Sequence, residues 1–179
     1  MKPSLVILTA LAILVAAISA SLRLMDASAS SSAVVKQQSG PLLLPPAAPA
    51  GQMVLYGHIR KLTRKARGFE LRFDPAWFTS GVTASRAALE DTGSSDVPND
   101  NYIVEEGHRL LTYVVPTTAH VTVLTNNAKG IASTPIAVSE LARIVNGGKH
   151  RKLFESLDSG VWIRVRIDTL RSIDQQYHP

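Results

Sequence analysis

The chain has 179 residues, no cysteine, and 19 Lys and Arg against 14 Asp and Glu, a formal net charge of +5. That length suits one domain with appendages, and the missing thiols exclude disulfides, thiolate metal sites, thiol catalysis and a lipoprotein anchor. The cationic excess points toward anionic neighbours, and its distribution along the chain says more than its total.

The first element is Leu5 to Leu22, an uncharged apolar run between Lys2 and Arg23. Its length just reaches the roughly 18–20 residues a transmembrane helix needs, which predicts a single-pass anchor over residues 1–25 with the domain outside the cell membrane. A signal peptide is the other reading, with Ala27-Ser28-Ala29 as the small-residue site and secretion after cleavage near Ala29. Residues 26–52 follow, rich in Ala, Ser and Pro, with Pro41, Pro45, Pro46 and Pro49 favouring an extended, semi-rigid tether.

A single domain is expected over 53–179. Met53 to Leu62 is rich in strand formers, and Phe69, Leu71 and Phe73 alternate with Glu70 and Arg72. That spacing predicts a hairpin through Thr63–Gly68, with Asp74-Pro75 ending its second strand. From Thr79 or Ser80 the apolar period changes to that of a helix closed by Gly93. An acidic, turn-rich stretch, Asp91 to Asn101, leads into strands at Tyr102–Glu105, Arg109–Val115 and His120–Thr125, with Asn126-Asn127 as a break. Ser139 to Val145 reads as a second short helix closed by Gly147-Gly148, and Lys149–Leu157 fits either state.

Val161, Ile163, Val165 and Ile167 alternate with Trp162, Arg164, Arg166 and Asp168, a strand with one buried face. Leu170 to Gln175 returns antiparallel. Asp168-Thr169 would make the turn, and β-branched Thr169 predicts a distorted or longer one. Six or seven short strands and two short helices predict an α+β domain, mainly antiparallel: a small, partly open β-barrel or curved sheet.

The strings FDPAWFTSGVTASRAALE, VPNDNYIV, the Val161–Ile167 strand and the closing QQYHP resemble uncharacterised exported proteins of high-GC Gram-positive bacteria. The resemblance covers most of 53–179. It implies an exported domain and carries no activity. Asp168-Thr169 departs from the Asp-Gly turn of those relatives.

Site candidates follow from charge. Arg60, Lys61, Arg64, Lys65, Arg67 and Arg72 are opposed by Glu70 alone. Carried on a hairpin, they suit an anionic lipid or wall polymer; a merely solvated turn is the plainer reading. The alternative binding face is Trp162, Arg164 and Arg166, an indole flanked by guanidinium groups, unless another element covers Trp162. The acidic residues of 91–106 lack EF-hand spacing, so turn chemistry is a simpler role than Ca²⁺ binding. Five histidines lie without metal-ligand spacing, and no nucleophile motif is present. No catalytic residue, cofactor or metal is therefore assigned, and nucleic acid is not expected as a partner. The sequence supports a non-enzymatic, envelope-associated interaction domain on a membrane tether. The alternative is a secreted hydrolase whose Asp74, Asp100, Glu105 and Glu106 converge only in three dimensions.

Overall fold

In the computed structural model, residues 46–105, 107 and 109–178 are described. The Leu5–Leu22 run, the Ala29 site, most of the tether and Glu106 lie outside them. Among the described residues no helix is long and apolar enough to cross a membrane.

The elements in order are β1 (Met53–Lys65), β2 (Gly68–Ser80), α1 (Gly81–Thr92), β3 (Asn101–Val104), β4 (Leu111–Val115), β5 (His120–Asn127), β6 (Gly130–Pro135), α2 (Val138–Val145), β7 (Val161–Arg166) and β8 (Thr169–Gln175). β1 pairs antiparallel with β2 and β7, and β8 with β7; β4 pairs antiparallel with β2 and parallel with β8 at Val114–Thr169. These pairings close a five-stranded mixed barrel, β1-β2-β4-β8-β7, with the short β4–β8 contact as its seam. β5 also runs parallel to β8, beyond the Pro116–Ala119 turn, so β4 and β5 act as two halves of one interrupted strand. Counted so, the barrel closes in the order first-second-third-fifth-fourth. Topology alone names no ligand. The expected α+β barrel is what forms.

Alternation explains the closure. Leu55, Ile59 and Leu62 of β1, Leu71 and Phe73 of β2, Val161, Ile163 and Val165 of β7, and Leu170 and Ile173 of β8 share one core. Val138, Leu141, Ala142 and Val145 recur at helical spacing, so α2 adds an apolar stripe to that core and packs on β1 and β5. β1 pairs with β7 only through Gly57, which leaves its later half without a strand on that side. There the Asn146 amide donates to Leu62 O at 3.0 Å, satisfying an edge carbonyl and tying α2 to the barrel.

Three expectations are corrected. β2 does not stop at Asp74-Pro75; it runs on to Ser80. β4 pairs with it through Phe73 and β3 from Trp77 onward, so Pro75 falls where the neighbour changes and no ladder donor is needed. Across from Pro75 stands Gly57, where a Cβ would collide with the Asp74 carbonyl. Second, β5 continues through Asn127 and a further strand, β6, pairs back along it. Asn127 Oδ1 accepts from Lys129 N at 2.8 Å, so the residue read as a break makes the hairpin turn. Third, the β7–β8 turn is Ile167-Asp168, and Thr169 already pairs with Arg166. The expected distortion is present: Ile167 adopts φ 60°, and the register shifts beyond Arg164.

Candidate functional site

The basic segment folds as predicted into a hairpin, with β1 and β2 joined by Ala66-Arg67. Its cations do not act as one cluster. A bulge between Ile59 and Lys61 makes Arg60 the extra residue, and its guanidinium pairs with Asp74 at 2.7 Å. Lys65 reaches Glu70 at 3.5 Å, and Arg72 donates to Thr112 Oγ1 at 3.0 Å. Arg64 lies over the Phe69 ring, 5.6 Å from its centroid. Lys61, Arg64 and Arg67 make no ion pair among the described residues.

Two grooves flank the hairpin. One, of about 320 Å³, lies between the hairpin and the β7–β8 turn and is lined by Lys65, Arg67, Phe69, Glu70, Tyr113 and Asp168, among others. The second, of about 340 Å³, lies between the hairpin and α2. The acidic side chains of α1 and its turn, Glu90, Asp91, Asp96 and Asp100, lie beyond the far end of β2, because β3 pairs with Trp77–Ser80. Thirteen strand residues span about 40 Å along a strand at roughly 3.3 Å each, several Debye lengths. The two charge fields therefore do not cancel at the hairpin tip.

The other candidate face is organised differently. Trp162 is only 6% exposed, packed against Tyr56 and Ala76 with Phe78 and Ile103 around them. Its indole N–H donates to Gln176 Oε1 at 2.6 Å. Arg164 donates to Ser172 Oγ at 2.6 Å, and Arg166 is exposed. Exposed stacking on Trp162 is thus closed off: both faces of β7 are buried at that point, one by the barrel core and one by this second apolar cluster.

Beside that cluster lies a polar group that sequence reasoning missed. His58 Nε2 meets Glu105 Oε1 at 2.5 Å, and its Nδ1 meets Asp158 O at 3.0 Å. The Tyr56 hydroxyl donates to Ser159 O at 2.6 Å and lies 3.4 Å from His178 Nε2. Burial, reinforced by the charges of Glu105 and Glu155, pushes the Tyr56 phenol far above its ordinary range. Burial lowers the pKa of His178, helped by the charge of His58, and raises that of Glu155. The 3.9 Å approach of His178 Nδ1 to Glu155 is therefore not a fixed ion pair near neutrality, and that nitrogen has no hydrogen-bond partner among the described residues. Tyr56 and His58 come from β1, Glu155 and Ser159 from the loop before β7, and His178 from the tail. Their separations in sequence are 100 residues and more for the key contacts, so no local spacing could have announced them.

Among the described residues no three His, Asp or Glu side chains are grouped to hold a metal ion. Asp74 is engaged by Arg60 and Glu105 by His58, while Asp100 sits at φ 58° in the turn before β3. Neither groove beside the hairpin is lined by any of these three carboxylates. Comparison with family models, curated proteins and solved structures finds no match to this chain.

Proposed function

We propose that the barrel is a non-enzymatic interaction domain of the cell envelope, carried by the N-terminal apolar run and presenting the β1–β2 hairpin to an anionic lipid or wall polymer. The observation that supports it most is the separation of charge along β2. Lys61, Arg64 and Arg67 stand at one end without ion pairs among the described residues, and the acidic α1 end follows the other end of this thirteen-residue strand, up to about 40 Å along it. An anionic surface approaching the hairpin meets a positive field that the domain's own carboxylates leave standing.

The test uses the full-length protein in neutral detergent, with a purified anionic wall polymer and with micelles doped with an anionic lipid. Binding to one of them is expected, weakening steeply with salt. Replacing Lys61, Arg64 and Arg67 together by Gln should abolish most of it, at roughly 1 kcal/mol per cation near the surface. Binding indifferent to both salt and these three residues would refute the reading. Membrane fractionation tests the tether: the protein should pellet with membranes and be open to protease from outside, whereas a soluble form beginning near Ser30 would establish cleavage and secretion.

A further inference from the structure

The groove between the hairpin and α2 has a composition unlike the rest of the surface. Ser139, Ala142, Arg143 and Asn146 line one side, at the 3, 4 and 7 spacing that puts residues on one helical stripe. Arg64 approaches from β1, and Leu62 and Phe69 form an apolar floor. No carboxylate lines this groove. The acidic residue of α2, Glu140, is turned away to Arg151 at 2.8 Å. Arg143, like Arg64, makes no ion pair among the described residues. Arg64 and Arg143 thus line one groove with no residue of opposite charge in its lining, an arrangement that favours an anion there.

The donor set narrows the anion. One guanidinium fork satisfies a carboxylate, which offers two oxygens. Two forks with a serine hydroxyl beside them match the larger set of oxygens on a phosphoryl group. The groove's wall is also held in place: Asn146 Nδ2 donates to Ala142 O at 2.7 Å and to Leu62 O at 3.0 Å, so helix and strand keep their spacing.

We infer that this groove is a binding site for a phosphate or phosphate-ester group, with Arg64 and Arg143 on the phosphoryl oxygens. The site deepens the function proposed above and rests on it, since it names the chemistry the hairpin region would select. A phosphate ester of this kind occurs in lipid headgroups and in soluble or polymeric glycerol phosphates.

The full-length protein in neutral detergent is titrated with inorganic phosphate and with glycerol phosphate. Saturable binding of both is expected. Arg143→Gln should weaken it at least about tenfold, a loss of about 1.4 kcal/mol. The charge-matched control Arg171→Gln, an exposed residue of β8 outside the groove, should change it less than about twofold. Adding phosphatidylglycerol to the micelles then separates the sources. Competition with glycerol phosphate identifies a lipid headgroup, and its absence a soluble or polymeric phosphate; either supports the site. Equal effects of Arg143→Gln and Arg171→Gln, or no saturable binding up to about 10 mM, overturn it. Salt-sensitive binding to an anionic partner that survives Arg143→Gln but is lost in the Lys61, Arg64, Arg67 triple variant would remove the groove and leave the hairpin reading standing. Loss in neither variant would remove both.

Discussion

At the scale of single residues, the polar group around Tyr56 makes pH dependence the most direct readout. The neutral form of His178 is favoured by burial, so its pKa lies below the ordinary 6.5. Between the depressed value and 6.5 the unfolded chain binds the proton and the native state does not, so stability rises with pH across that window. The contribution is complete above 6.5 and is lost as the pH falls through the folded value. Glu155, raised above 4.5 by burial, acts in the opposite sense: its contribution is complete below 4.5 and is lost as the pH rises through its folded value. The groups facing His178 are Tyr56, Phe78, His58 and Glu155. His178→Gln should therefore flatten the fall in melting temperature between about pH 7 and 5. An unchanged fall would show that His178 is not its source. A neighbouring constraint comes from Gly160, at φ 104°, where any Cβ would collide with the Tyr56 hydroxyl. That close approach is what brings the Ser159 carbonyl within reach of the phenol.

At the scale of elements, the β7–β8 turn stores the clearest strain. Ile167 is β-branched, holds φ 60° and is 87% exposed, so nothing packed against it offsets the unfavourable backbone. A turn with positive φ at its first central position favours Gly there. Ile167→Gly should stabilise the domain by about 1 kcal/mol, the released strain less the added backbone entropy of Gly. A urea midpoint that shifts upward with unchanged slope checks this; a downward shift would mean that Ile167 has a packing role. Helix α1 illustrates a different economy. Only Ala84 and Ala88 are buried, small residues four apart that let it approach β2 and β3 closely, and Gly93 closes it in the left-handed conformation. Two exposed apolar residues on it, Val82 and Leu89, have no partner within the domain's cores.

At the scale of the whole molecule, the C-terminal segment acts as a clasp. Gln175 is 1% exposed; its Oε1 accepts from Leu124 N at 2.8 Å, and its Nε2 donates to Glu155 O and Ser156 O at 3.2 Å each. One amide thereby joins β5, β8 and the loop that carries Glu155 and Ser159. Gln176 adds the bond from Trp162. Gln175→Ala would leave the Leu124 N–H buried without its acceptor and should cost at least about 1–3 kcal/mol, read as a lower chemical-denaturation midpoint. A loss below about 0.5 kcal/mol would show that the loop is held by other contacts. The same substitution should also loosen the Tyr56 and His178 surroundings, which thermal unfolding followed by Trp162 fluorescence in a Trp77→Phe background would report.

Much of this fold was legible in periodicity. Alternation in Phe69–Phe73 and in Val161–Val165 marked barrel strands, the apolar positions of Ser139–Val145 marked α2, and Gly93 marked the end of α1, because each depends on neighbours within a few residues. The hairpin that concentrates Arg60–Arg72 was legible for the same reason. What chain order could not contain is which charges are left over. Arg60 meets Asp74 because a bulge turns it there, and Lys65 meets Glu70 across the strands. Arg143, 79 residues beyond Arg64, lines the same groove only because α2 packs on the barrel. Trp162 is buried rather than displayed because β2 runs past Pro75 and brings Phe78 over it. The polar group of Tyr56, His58 and His178 exists only once β1, the loop before β7 and the tail converge. Local propensity and apolar period act over a few residues and so are written in order along the chain. Burial, ion pairing and shared cavities depend on residues far apart in it, and only the closed barrel decides them.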